Sequence, residues 1–195
     1  NREALQYLRP FECRSLKGRM KLTAVTLRHL EIFQNSRGEL AGTLFALVDQ
    51  AKTSAGSRRL REWMQFPLLD TSDLKRRWDL IETWRSDLSQ LKRVREELSR
   101  LGDLERRLAR ISQPSGSARD LLALAQGTQT ALTALSLAQI VCPDRQNLEG
   151  LSSKIHNTLV DEPPLLLRQG GLIRRGVRAD LDEYITLTTD AHSVL

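Results

Sequence analysis

The residues able to hold a metal or move a proton are few and scattered. His29, His156 and His192 are far apart, and none belongs to an H-E-x-x-H or H-x-x-x-H pair that would put two ligands on one helix face. Asp180, Asp182 and Glu183 are close together, but on a helix such a run reads as a solvated acidic face rather than a metal cradle. Cys13 and Cys142 are too far apart in the chain to form a zinc motif or a disulfide framework, and their scarcity suits a reducing compartment. Neither G-x-x-x-x-G-K-[ST] nor G-x-G-x-x-G occurs, and Lys17-Gly18 has the wrong order for a phosphate loop. Ser54-Ala55-Gly56-Ser57 looks like a nucleophile turn but lacks the strand such an elbow needs. It reads better as a helix start in which Gly56 allows close backbone approach. No catalytic, cofactor or metal residue is therefore assigned.

Charge is the other candidate for chemistry. The 195 residues carry 30 Lys and Arg against 24 Asp and Glu, a formal net charge of +6. Three basic clusters stand out: Arg58, Arg59 and Arg61; Lys75, Arg76 and Arg77; and Arg174, Arg175 and Arg178. Phosphate contact is one reading of them. Against it, no aromatic residues interleave them as in single-strand binders, and no groove-reading helix is recognisable. Acid-then-base spacings at Asp73 and Arg77, Glu96 and Arg100, and Asp103 and Arg107 predict i,i+4 pairs that neutralise part of the charge internally. Trp63, Trp78 and Trp84 fall in helical patterns and are expected to pack between helices.

The elements that position these residues are helical. Hydrophobic residues make up 40% of the chain and aromatics only 5%, with leucine abundant. A short helix is expected over 4–9. Thr23 caps one that runs to about Phe33, and Asn35 to Gly38 forms a turn. Further helices are expected over about 44–50 and 54–66, the second stopped by Pro67. Asp70 is the next cap. From Leu74 through Trp78, Ile81, Leu88, Leu91, Val94, Leu98, Leu101, Leu104 and Leu108 to Ile111, apolar residues step by three, four or seven. That is a stripe at helical period, interrupted near Ser86 and Gly102. Ser117 with Asp120 resembles a capping box opening a helix to about Ile140, and another is expected over 145–158. Leu172 to Arg175 is the best strand candidate, and a last helix begins at about Val177. The fold class is all-α: a multi-helix bundle with a long protruding helix at its C-terminal end and at most one short strand pair. No apolar run approaches the ~20 residues that span a bilayer, and no signal peptide is recognisable.

Four blocks carry a family resemblance. Leu22-Thr23-Ala24-Val25-Thr26-Leu27-Arg28-His29-Leu30-Glu31-Ile32 is the first. The second is Gly42-Thr43-Leu44 with Val48 to Arg58, Leu60-Arg61-Glu62-Trp63 and Pro67-Leu68. The third is Asp103-Leu104-Glu105-Arg106 with Arg110-Ile111. The fourth is Asp161-Glu162-Pro163-Pro164, then Gly170-Gly171-Leu172-Ile173-Arg174, Gly176 and Leu181-Asp182-Glu183. In order and spacing they resemble the core domain of the MutS family of DNA mismatch-repair proteins. Thr23 and His29 depart from the family's usual Asp and Asn, and Val177-Arg178 from its Tyr-Asp. The Asp-Glu-Pro-Pro block is more similar to bacterial members.

The resemblance implies a core domain over 1–176 and the start of an outgoing lever helix over 177–195, within a longer ATPase. Both ends then read as cuts in that protein, because the chain starts at Asn1 and stops inside a helical pattern. It further implies a structural and allosteric role, linking ATPase to DNA clamp, with mismatched duplex DNA, a MutL-type protein and a second copy as partners of the parent. ATP and Mg would be held outside this segment, the location would be cytoplasmic, and no membrane would be involved. Arg28, Glu31, Thr53, Gly56, Arg58, Asp103 and Glu105 are the structural or coupling candidates. A free-standing helical adaptor, or a non-specific DNA-binding module, is the alternative. An enzyme with a site assembled only by the fold is a third.

Overall fold

A computed structural model describes residues 17–113, 116–164 and 169–193, with side chains given to Leu187. The helix expected over 4–9 and Cys13 lie outside these residues. Among the described residues the architecture is helical, with α1 (Ala24–His29), α2 (Leu44–Val48), α3 (Ser54–Gln65), α4 (Thr71–Ser86), α5 (Leu88–Ser99), α6 (Leu104–Ile111), α7 (Ala118–Leu137), α8 (Arg145–Thr158) and α9 (Ala179–Ser193). In place of a strand pair there are two isolated antiparallel bridges, Arg19 with Leu68 and Leu159 with Ile173. The second contains the strand candidate. No described helix is long and apolar enough to cross a membrane.

The chain divides into two compact units. The first comprises residues 1–50 and 58–82, the second 51–57 and 83–195.

In the first unit, α1 is four residues shorter than expected. Thr23 caps it as predicted, its hydroxyl accepting from the Thr26 N–H. The stop comes from Glu31, which adopts φ +48. Glu31 N–H donates to Arg28 O and Ile32 N–H to Leu27 O, so the two bonds of a Schellman cap close the helix. Glycine usually holds that position, which is why no stop signal was legible there. The returning segment is tied back by Leu44 N–H to Glu31 O and Phe45 N–H to Ile32 O. Phe45 is buried and meets Phe33 edge-on at 5.6 Å. Arg61, reaching over from α3, lies 4.3 Å from the Phe33 centroid and 5.0 Å from that of Phe45.

The second unit is organised around α7. Ser117 and Asp120 form the predicted reciprocal capping box at its start. α7 packs against α5, α6 and α8. Its inward face is small: Ala118, Ala125, Gly127, Thr130, Leu132 and Ala134 are buried. Small residues let neighbouring axes approach closely. A Cβ on Gly127 would come 2.5 Å from Leu104 Cδ2 of α6. From α8 the buried Ser152 donates to Ala125 O at 3.0 Å, and from α5 Gln90 Nε2 donates to Leu137 O at 2.8 Å.

The apolar stripe over 74–111 is only partly buried. Val94 is enclosed, yet Trp78 is 61% exposed and Leu88 66%, and Ile81 and Leu108 are also exposed. Trp78 therefore does not pack as expected. The helices break at Asp87 and at 100–103, so a period continuous in sequence is carried by three separate helices. Two expected ion pairs also shift by one position. Asp73 pairs with Arg76 rather than Arg77, and Arg100 with Glu97 rather than Glu96, which reaches back to Lys92. Spacings of three and four residues both bring helical side chains together, and the rotamer decides between them.

Candidate functional site

The seven candidate residues are distributed over both units. Arg28, Glu31 and Arg58 belong to the first unit, whereas Thr53, Gly56, Asp103 and Glu105 belong to the second. Most of them turn out to shape helix ends. Thr53 Oγ1 accepts from Gly56 N–H at 3.0 Å and so caps α3. A Cβ on Gly56 would stand 3.0 Å from that same hydroxyl and 3.3 Å from Ala51 Cβ, which is the close approach expected of the position. Asp103 caps α6 through Arg106 N–H at 3.2 Å. Glu105 sits in the first turn of α6 and Arg28 in the last turn of α1, each with the sign that complements the helix dipole. Glu31 Oε1 accepts from Ser36 N–H at 2.7 Å, which braces its left-handed backbone. Arg58 is exposed in α3.

Two further arrangements stand out, and sequence reasoning placed neither as a site. The first is the root of α9. Arg174 Nε donates to His156 O at 2.9 Å, and its guanidinium pairs with Asp161. Backbone bonds from Arg174 N–H to Thr158 O and from Val160 N–H to Leu172 O run alongside. The chain then turns through Gly176 at φ +86, a left-handed value that suits glycine. Gly176 N–H donates to Asp182 Oδ2 at 2.7 Å, and Arg178 pairs with Asp180. Thus the start of α9 is fastened to the end of α8. Arg178 holds the Asp180 carboxyl below its ordinary range, chiefly by side-chain hydrogen bonding. The basic cluster at 174–178 is accordingly spent in part on intramolecular pairs, as is the acidic run at 180–183. Among the described residues, α9 is not one of the helices that pack extensively on another, and its Tyr184 and Leu187 are exposed.

The second arrangement is in the first unit. Trp63 of α3 is stacked by Arg77 of α4, whose guanidinium carbon lies 3.9 Å from the ring centroid, with Arg59 at 5.7 Å. The interleaving of aromatic and basic residues, invisible in sequence order, is made here between two helices. As for other chemistry, no described group of three His, Cys, Asp or Glu residues is placed to hold a metal. His156 Nδ1 is engaged with Ser152 O at 3.0 Å.

A small-residue face on α7 and four sequence blocks in order are what a packed helical core requires. Comparison with known proteins identifies which core. The family model for MutS domain III matches residues 25–191. The DNA mismatch repair protein MutS of an Exiguobacterium species is 34% identical over 201 residues, covering 98% of this chain and 24% of that protein. The Thermus aquaticus protein of the same name is 38% identical over 177 residues, with 90% and 21% covered. For that of Anaeromyxobacter dehalogenans the figures are 38% over 183 residues, 87% and 20%. The chain belongs to the MutS family and corresponds to its domain III. It spans about a quarter or less of the length of these curated relatives.

Proposed function

We propose that this chain is the mechanical core of a DNA mismatch-repair ATPase, passing the nucleotide state of the ATPase to the part of the protein that clamps mismatched duplex DNA. Binding of ATP and Mg, contact with a MutL-type partner and homodimerisation belong, on this reading, to other parts of the parent protein, which acts in the cytoplasm. The chain itself contributes stiffness and a lever.

One observation carries the reading: α9 is anchored at its root yet runs without an extensive helical neighbour among the described residues. A 15-residue helix is about 22 Å long. Being stiff along its axis, it converts a small rotation at the root into a larger displacement at the tip. Packed interfaces such as those of α7 favour switching between arrangements over continuous bending. The anchor is the hydrogen-bonded path from α8 through Arg174 and Gly176 to Asp182.

The test is Asp182→Ala in the natural full-length protein. Removing the carboxylate frees the Gly176 N–H and loosens the root without touching a nucleotide or DNA group. Basal ATP hydrolysis and mismatch binding without nucleotide should stay within about twofold, while ATP-driven release from the mismatch slows by about tenfold, the equivalent of ~1.4 kcal/mol. ATP-driven release at the unaltered rate, with Asp182→Ala shown to be folded, would sink the lever reading.

A further inference from the structure

In the first unit Arg77 comes together with Arg59 and Arg19 around Trp63, and Arg76 adjoins Arg77 along the chain. α3 supplies Arg59, α4 supplies Arg76 and Arg77, and the segment before α1 supplies Arg19. The Arg19 guanidinium donates to Phe66 O at 3.1 Å and is thereby held in place. Trp63 lies under Arg77 and Arg59. Three carboxylates compensate in part: Glu62 pairs with Arg59 at 2.7 Å, Asp73 pairs with Arg76 and also acts on Arg77, and Asp70 feels the charge of Arg76. Four guanidiniums therefore stand with three carboxylates. Arg77 makes no hydrogen bond or ion pair among the described residues. Partial burial pushes its pKa down and Arg19 and Arg59 push it further, with Asp73 opposing them in part. Positive charge is thus gathered where it is least comfortable, in an ordered arrangement that an external anion would relieve.

The form of the surface decides which anion. The Arg59 and Arg76 side chains are 54% and 75% exposed, so this is an open face rather than an enclosed pocket for a small ion. One protein carboxylate would satisfy a single fork and leave the other guanidiniums without an outside partner. A duplex backbone presents a line of phosphates, about one charge per 1.7 Å of axis, and so engages cations on both helices together. The Trp63 ring is already stacked by a guanidinium, so it offers no platform for an unpaired base. Contact here would be blind to sequence.

We propose that the surface formed by Arg19, Arg59, Arg76 and Arg77 around Trp63 binds the phosphodiester backbone of duplex DNA. The proposal rests on the reading of the parent as a protein that acts on mismatched DNA.

The experiment uses the natural full-length protein and its Arg59→Gln/Arg76→Gln variant. Affinity for fluorescent matched and mismatched duplexes is measured across a salt series without nucleotide. The slope of log K against log salt should become shallower by about 1–2, at ~0.9 per lost phosphate contact. Both duplexes should weaken by the same factor, because backbone contacts carry no base information. Arg76→Gln alone, the more exposed change, should give about half the effect and guards against a folding artefact. An unchanged slope, including one where affinity for an acidic peptide falls instead, overturns the DNA surface. If the unaltered protein still prefers the mismatch, the mismatch-repair reading survives that result. An unaltered protein without mismatch preference sinks that broader reading, whatever the slopes do.

Discussion

Single residues in this chain act mostly at helix ends, and two of them do so against their own backbone preference. Glu31 and Gln139 close α1 and α7 in the left-handed region, at φ +48 and +57. Both sit in Schellman caps; for α7 the bonds run from Gln139 N–H to Ser136 O and from Ile140 N–H to Leu135 O. An L residue held there costs about 1 kcal/mol relative to glycine. Gln139→Gly is accordingly expected to raise stability by about 0.5–1 kcal/mol, read as a higher urea midpoint at unchanged slope. Glu31→Gly should show no such gain, because it also removes the carboxylate that accepts from Ser36. Asp120 makes a pH prediction. The Ser117 hydroxyl, donating at 2.8 Å, holds its carboxyl below the ordinary value of 3.8, with help from Arg110 at 3.4 Å. Because the folded-state value is depressed, its contribution is fully present above 3.8 and fades as pH falls through the lowered value. Asp120→Asn should therefore lose stability at neutral pH and show a flatter acid limb when melting temperature is followed from pH 7 to 2.

At the scale of elements, the contact between α6 and α7 depends on a missing side chain. Gly127 leaves room for Leu104, whose Cδ2 would lie 2.5 Å from an added Cβ. Alanine in a helix interior gains about 1 kcal/mol over glycine, while overpacking costs about 1–3 kcal/mol. Gly127→Ala in the unaltered background is thus the sum of opposed effects. With Leu104→Ala already in place the clash is gone and only the helical gain remains. A double-mutant cycle should therefore show Gly127→Ala stabilising by about 1 kcal/mol in the Leu104→Ala background. The two changes should couple by about 1 kcal/mol or more. Additive changes would show that α6 does not rest on α7 through this pair.

For the molecule as a whole, charge is divided between two tasks. In the second unit Arg145, Arg174 and Arg178 are committed to Glu149, Asp161 and Asp180. In the first unit half-buried Arg19 and Arg77 stand with the paired Arg59, and this is the group assigned above to an outside phosphate backbone. Net charge alone did not separate these cases. Apolar surface behaves likewise, with Trp78, Ile81 and Leu88 exposed although their spacing is that of a buried stripe. The proposed division of labour, an anchored helix at one place and a phosphate surface at another, is what the Asp182→Ala and Arg59→Gln/Arg76→Gln experiments separate.

Local chemistry was legible from the residues themselves. Thr23 and Ser117 with Asp120 cap the helices they were expected to cap, because a side-chain oxygen three residues before an N–H needs nothing beyond the local chain. Pro67 and the turn at Asn35 to Gly38 are local for the same reason. The family, too, was readable in the order of four blocks, since order and spacing are properties of the chain. Three features were not. The stop at Glu31 depends on backbone bonds that no residue type announces. The arginine surface needs Arg19, Arg59 and Arg77 brought together across 58 residues of sequence. The exposure of Trp78 depends on which neighbours reach its side of α4, and no local signal names them. Each is a long-range or backbone consequence of packing, and only the tertiary structure decides those.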